Sequence, residues 1–216
     1  MLRPGSGAEA RSVPSPAGLT GSGSASAPLG SRAPNAVPRL RTMPTDELTL
    51  AESGSIRTIL WEAFGDGEDA FAEDDWTHAL GGIHFVLDLD GEIVAHASVV
   101  ERVLWVGAQP IRTGYVEAVA TDPNHQGRGF GTIVIEAVTA HVQESFDLGA
   151  LGTGRLTFYQ RLGWEAWGGP AFVREPSGLV RTPEDEGYLL VLRTPSSPSF
   201  DGNEPLSCQP RVGEPW

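Results

Sequence analysis

The stretch from Ile111 to Phe146 leaves few folds open. From Ile111 to Thr121 the residues alternate, with Val116, Ala118 and Ala120 on one side and Tyr115, Glu117, Val119 and Thr121 on the other, the period-two pattern of a strand. Asp122-Pro123-Asn124 stops that strand. After Gln126-Gly127-Arg128-Gly129-Phe130-Gly131, the apolar residues Phe130, Val134, Val138 and Val142 recur at helical spacing to about Phe146. A strand that passes through a glycine-rich turn into a helix presents open backbone N–H groups and the positive end of the helix dipole, which together suit an anion. Glycine matters because a β-carbon would hold a pyrophosphate away from the amides. Glycines at such a junction also serve as plain turn residues, and spacing alone leaves both readings open. No Gly-Lys-Ser/Thr follows, which argues against a P-loop, and the motif sits mid-chain after a hairpin instead of opening a βαβ unit, which argues against a Rossmann site.

The rest of the chain reads as mixed α/β. Leu40 to Met43 is expected as a short first strand, Leu48 to Phe64 as a helix ended by Gly65 with Asp46 and Glu47 near its first turn, and Glu73 to Leu80 as a short acidic helix. His84 to Leu89 and Ile93 to Val100 flank Asp90-Gly91, the pattern of a hairpin with a tight primed turn. Leu148 to Leu151 is a further strand and Gly154 to Leu162 a helix stopped by Gly163. Trp164 to Trp167, Phe172-Val173 and Tyr188 to Leu192 supply the last strands.

Composition sets the limits. Residues 1–37 are largely Gly, Ser, Ala and Pro and cannot bury enough surface to order themselves, so they are expected to be a disordered extension of one folded domain, 38–193, with a tail, 194–216. Alternatively they are upstream sequence ahead of a start at Met43. With 15 Lys and Arg against 28 Asp and Glu, the net charge of -13 repels nucleic acid and attracts a small polycation. The lone Cys208 and the scattered His78, His84, His96, His125 and His141 offer no metal-binding spacing, so satisfied or solvated histidines are expected and no metal. No signal peptide or membrane span is evident, which points to the cytoplasm.

Gln126-x-x-Gly129-x-Gly131, preceded by Val119-Ala120-Thr121-Asp122-Pro123 and followed by Phe158-Tyr159-Gln160-Arg161-Leu162-Gly163-Trp164, resembles the acetyl-CoA signature of the GNAT superfamily of N-acetyltransferases. The resemblance covers about Leu40 to Arg193 and implies a mixed, mostly antiparallel central sheet, flanked by helices and splayed between its fourth and fifth strands. It implies that Val119, Ala120, Thr121 and the loop Gln126, Gly127, Arg128, Gly129, Phe130 and Gly131 hold acetyl-CoA, with the Val119 N–H as oxyanion donor. Within the superfamily, Gly114 to Ala120, Gly149-Ala150-Leu151, Arg181 to Gly187 and the tail ending in Trp216 are similar to aminoglycoside 2′-N-acetyltransferases. That narrower likeness implies acetyl transfer to a polycationic amine, with pairing as a homodimer.

Acetyl transfer needs a neutral amine, a cradle for the oxyanion and a proton for the departing thiolate. Glu117, on the strand face expected to line the cleft, is the candidate base, and Tyr159, whose phenol has an ordinary pKa near ~10, the candidate acid. Read without the resemblance, Glu117 serves equally as a solvated edge acid and Tyr159 better as a core tyrosine. An aminoglycoside site should gather carboxylates and carbonyls, and Asp69, Asp75, Asp185, Glu186 and Glu214 are the candidates, with Ala118, Gly152 and Trp216 beside them. The acids matching Asp75 and Asp185 touch substrate in the family, whereas another substrate aspartate falls on Ala70 unless Asp69 substitutes for it. Gly152-Thr153-Gly154 replaces the family's serine-rich segment. The tail reads by composition as a disordered end, but its closing Cys208, Arg211, Gly213 and Trp216 resemble a family tail that returns to the active site and offers a terminal carboxylate. A GNAT enzyme for a polyamine, an amino sugar, a thiol-precursor metabolite or a protein N-terminus, and a non-catalytic acyl-CoA-binding module, are the alternatives.

Overall fold

The computed structural model describes residues 37–65, 67 and 70–216; the expected N-terminal extension, save its last residue Val37, and Asp69 lie outside the described residues. Strand β1 (Arg39–Pro44) leads into helix α1 (Leu50–Phe64). This helix begins later than its apolar pattern suggests. The Thr49 hydroxyl accepts the Glu52 N–H while the Glu52 carboxylate accepts the Thr49 N–H, a reciprocal cap that fixes the first turn. Asp46 and Glu47, expected near that first turn, lie instead in a separate 3-10 turn, Thr45–Glu47.

Helix α2 (Glu73–His78) precedes β2 (Ile83–Leu89) and β3 (Glu92–Val106), which are joined by Asp90 and Gly91. Both turn residues have positive φ, 52° and 88°, as a primed two-residue turn requires. β3 runs beyond the expected Val100 and turns at Gly107 into β4 (Gln109–Thr121). Then follow α3 (Phe130–Ser145), β5 (Leu148–Gly152), α4 (Leu156–Gln160), β6 (Glu165–Ala166), β7 (Ala171–Glu175), β8 (Gly178–Arg181), β9 (Leu189–Arg193) and β10 (Leu206–Cys208).

These strands make one mixed, mostly antiparallel sheet. β1, β2, β3, β4, β5, β9 and β6 lie side by side, and the far half of β3 also carries β10, β7 and β8. β4 and β5 run parallel and pair only at Thr113, Gly114 and Tyr115 with Leu148, Gly149 and Ala150. Beyond Tyr115 the β5-facing edge of β4 has no strand partner, so the sheet opens there as the resemblance implied. Gly114 and Gly149 are the middle pair of this short contact, where added β-carbons would meet Phe146 at 2.7 Å and Val142 at 2.8 Å. One face is covered by α3, with Val134, Ile135, Val138 and Val142 buried against Phe85, Leu87, Ala97 and Val116. The other is covered by α1 and α2, which bury Ile56, Ile59, Leu60 and Trp76 against Val86, Ile93, Ala118 and Ala120.

The strand alternation expected along β4 fails at one place. Ser98 pairs with Glu117 and His96 with Ala120, so Ala118 and Val119 together oppose the single residue Ala97. This β-bulge puts Ala118 at φ 50°, a left-handed conformation uncommon outside glycine. Val119 therefore does not share a face with Glu117 as the alternation suggested. It packs with Val116 on the α3 side, while Ala118 turns toward α1 and α2.

The tail is also unlike its composition. β10 inserts between β3, antiparallel, and β7, parallel, and residues 209–216 then run back over the opening of the sheet.

Candidate active site

The opening beyond Tyr115 is bounded by β4 on one side, the α3 N-terminus at one end and the returning tail at the other. At the α3 end, Gly127 and Gly129 have positive φ of 73° and 84°, and Gly129 caps the helix. The first amides of α3 have no partner within the helix, as for any helix start. Gln126 is tied back to the β4 end, its Nε2 donating to the Thr121 carbonyl at 3.2 Å. A β-carbon at Gly131 would stand 3.2 Å from Thr121 Oγ1, so glycine keeps the strand end and the helix start in close contact. Arg128 lies exposed, its guanidinium over the Phe130 ring at 4.7 Å, and gives the loop a positive charge.

At the tail end, one guanidinium gathers three groups. Arg211 Nη1 donates to Glu117 Oε1 at 2.6 Å, Nε to the Glu214 carbonyl at 2.7 Å and Nη2 to the Trp216 carbonyl at 3.2 Å. Trp216 is buried and its indole N–H donates to Thr182 Oγ1 at 3.1 Å. Arg102 adds a second tie, donating to the Pro215 carbonyl at 2.8 Å while stacking on Tyr115 at 4.5 Å. Among the described residues, two fully buried side-chain polar atoms lack a partner, Arg102 Nη1 and Tyr115 Oη, and both belong to this end of the opening. A β-carbon at Gly152 would lie 3.7 Å from that Tyr115 hydroxyl and 3.8 Å from the Trp216 carbonyl carbon, so Gly152 borders the same space.

The acids divide into two groups. Glu117, Asp185 and Glu214 collect at the tail. Burial, helped by the charges of Glu184 and Glu214 and opposed by a hydrogen bond from Thr182, pushes the Asp185 carboxyl above its ordinary range. Asp75 and Glu186 have structural partners of their own. Asp75 caps α2 by accepting the Ala72 N–H at 2.8 Å, and Glu186 forms a two-pronged pair with Arg181 at 2.8 and 3.0 Å. The neighbouring Asp74 packs against Gly213, and His78 Nε2 bonds the Val212 carbonyl at 2.8 Å, so α2 forms one wall for the tail.

Tyr159 sits on α4, buried edge-on against Phe158 and Trp164, and burial raises its phenol well above the ordinary range. Its hydroxyl makes no hydrogen bond to another described residue.

Residues 54–164 match the model of the acetyltransferase (GNAT) family. The chain belongs to that family. It is 38% identical over 181 residues to an aminoglycoside 2′-N-acetyltransferase of Mycolicibacterium fortuitum, covering 82% of this chain and 91% of the relative. Among solved structures it is similar to a GNAT family N-acetyltransferase (YhbS) from Escherichia coli in complex with CoA, with a TM-score of 0.56 at 15% identity over 81% of this chain and 91% of that one. It also resembles Eis1 from Mycobacterium abscessus, with a TM-score of 0.51 at 19% identity over 63% of this chain, where it spans about a third (33%) of that protein's length.

In this GNAT chain, Arg102 and Arg211 are site neighbours that residue-by-residue reading did not assign, while Tyr115 lies beside Glu117 as the alternation gave it. Arg211 had a signal in the tail pattern. Arg102 had none, because a half-buried arginine is recognised by what folds over it.

Proposed function

We propose that this GNAT acetyltransferase transfers the acetyl group of acetyl-CoA to the 2′-amino group of aminoglycosides. The observation that carries the reading is the returned tail. It brings Glu117, Asp185, Glu214 and the backbone carbonyls of Glu214 and Trp216 to one end of the opening, a set of acceptors suited to a polycation rich in ammonium and hydroxyl groups. The 38% identity to an aminoglycoside 2′-N-acetyltransferase, over 91% of that relative, supports the same choice.

Acetyl-CoA fits the other end. Gly127 and Gly129 turn the backbone so that the first amides of α3 face a pyrophosphate, and Arg128 adds positive charge. When bound, the co-substrate supplies the activated thioester. Glu117 takes the proton from the substrate ammonium, which occupies the place held by Arg211, and leaves a neutral amine to attack the thioester carbonyl. The Val119 N–H, at the bulge, stabilises the developing oxyanion. As the tetrahedral intermediate collapses, Tyr159 gives its phenolic proton to the departing thiolate, and the second proton that the attacking nitrogen sheds in becoming an amide passes through solvent to restore the phenol.

The test is CoA release by the purified chain with acetyl-CoA and three amines: an aminoglycoside with a 2′-amine, its congener with a 2′-hydroxyl, and a linear polyamine. Turnover is expected with the first alone, with the acetyl group located at the 2′-nitrogen by NMR. Turnover with the 2′-hydroxyl congener overturns the regiochemistry, and turnover with the polyamine alone overturns the substrate class.

A further inference from the structure

The bulge at Ala118 is held from inside the protein by a chain of hydrogen bonds that ends on the Ala118 carbonyl. His96 Nδ1 lies 2.8 Å from that carbonyl, His96 Nε2 is 2.9 Å from His84 Nδ1, and His84 Nε2 is 2.8 Å from Thr45 Oγ1, which the Gly81 N–H reaches at 2.8 Å. Both imidazoles are completely buried. The proton positions follow from the two ends. A carbonyl only accepts, so His96 carries its proton on Nδ1 and, being neutral, accepts at Nε2. His84 must then donate from Nδ1 and accept at Nε2, which makes the Thr45 hydroxyl the donor to it. The Gly81 N–H in turn donates to the Thr45 oxygen. All donors point one way, from Gly81 to Ala118. A proton added to His96 at Nε2 would set two N–H groups face to face, and one added to His84 at Nε2 would turn the Thr45 hydroxyl away toward the Gly82 carbonyl, 3.3 Å off.

Apolar side chains of similar volume would fill this space against Trp76, whose ring centroid stands 6.3 and 6.4 Å from the two imidazoles, but they would give the Ala118 carbonyl no donor. A left-handed non-glycine residue costs about 1 to 3 kcal/mol and persists where its surroundings over-determine it. His96 is the side chain that bonds this residue. Without the bulge, β4 would keep its alternation, and every residue from Ala118 onward would turn to the opposite face.

We propose that His84 and His96 are positioning residues for acetyl transfer, holding through the Ala118 carbonyl the bulge that directs the Val119 N–H, two residues after Glu117, at the opening of the sheet. The role rests on the reading of Glu117 and Val119 given above.

Two measurements test it. Imidazole nitrogen NMR on the intact chain at pH 7 should find both histidines neutral with the proton on Nδ1; an Nε2-protonated ring, or a charged one, overturns the chain of donors. In kinetics, His96→Leu removes the donor, and His96→Asn keeps an amide N–H near the position of Nδ1. The leucine variant should lose roughly 10- to 100-fold in kcat with acetyl-CoA affinity within about twofold, the cost of a slightly misplaced catalytic group. The asparagine variant should recover most of that loss although both variants unfold more easily. Equal kcat in the two variants overturns the role. Glu117→Gln in the same assay keeps the two readings apart. Loss in Glu117→Gln with wild-type kcat in His96→Leu overturns the positioning role alone. No loss in either removes Glu117 from the reaction and this role with it.

Discussion

The Arg211 guanidinium donates to the Glu117 carboxylate at 2.6 Å, joining residues 94 positions apart. Both side chains are largely buried, with 16% and 13% of their surface exposed. The pair neutralises a carboxylate inside the opening and fastens the tail with the same contact.

A cycle of Arg211→Gln, Glu117→Gln and the double variant measures this coupling. Each single change leaves a largely buried charge without its partner and should lower the unfolding free energy by about 2 kcal/mol. The double variant should lose little more than either, a coupling of roughly 1 to 3 kcal/mol in urea unfolding. Strict additivity would mean that the two groups do not interact.

Stability should fall with acid because of the buried histidines. Burial depresses His84 to about 4 and, with the neighbouring charge of His84, His96 to about 3. In the unfolded chain both take up protons as the pH drops through the ordinary histidine value near ~6.5. The folded chain does not until much lower pH. Between those limits the unfolded state holds more protons, so each histidine costs roughly 1.4 kcal/mol per pH unit of acidification. Urea unfolding at pH 6.5, 5.5 and 4.5 should show a shallower decline in His96→Leu than in the wild type. Parallel declines would mean that His96 is protonated in the folded state.

Gly131→Ala separates fold from ligand. Gly131 is helical, so alanine adds helix propensity of up to about 1 kcal/mol, set against a contact 3.2 Å from Thr121 Oγ1. Net stability should change by less than about 1 kcal/mol, while acetyl-CoA affinity measured by calorimetry should fall roughly tenfold, equivalent to about 1.4 kcal/mol. An unchanged affinity would remove this loop from the acetyl-CoA site.

A chain begun at Met43 loses Arg39 to Thr42 from β1. With them goes Arg41, which pairs with Asp88 at 2.5 Å and with Glu52 at 2.7 Å. Its melting temperature should fall several degrees below that of a chain begun at Val37, the size of shift that about 1 kcal/mol produces in a domain of this length. Equal melting temperatures would show that β1 contributes little.

The elements with local signals were legible. Asp90-Gly91 names its turn, and the glycines from Gly127 to Gly131 name a strand-to-helix junction. The bulge at Ala118 was hidden, because alanine carries no mark of a positive φ and the cause lies in side chains from other strands. The histidine pair was hidden by register. A plain hairpin about Asp90-Gly91 sets His84 against Ala97, which puts His84 and His96 on opposite faces. An extra residue in β3 near Val94 shifts the pairing to His84 with Ser98 and His96 with Val86, and brings both rings to one face. The tail was hidden by composition, since Pro and Ser say nothing of the three residues, Leu206 to Cys208, that find two strands at once.

The position of β10 also bears on how the molecule is made. A ribosome delivers the chain from its N-terminus, yet β10, last in chain order of the described strands, lies in the interior of the sheet, between β3 and β7. Until Leu206 to Cys208 emerge from the exit tunnel, the far edge of β3 has no neighbour and the β7–β8 ribbon has nothing to join it to the sheet. Glu117 likewise has no Arg211. Closure of the sheet and the pairing of Glu117 with Arg211 therefore arrive together, once residues 206–211 have left the tunnel.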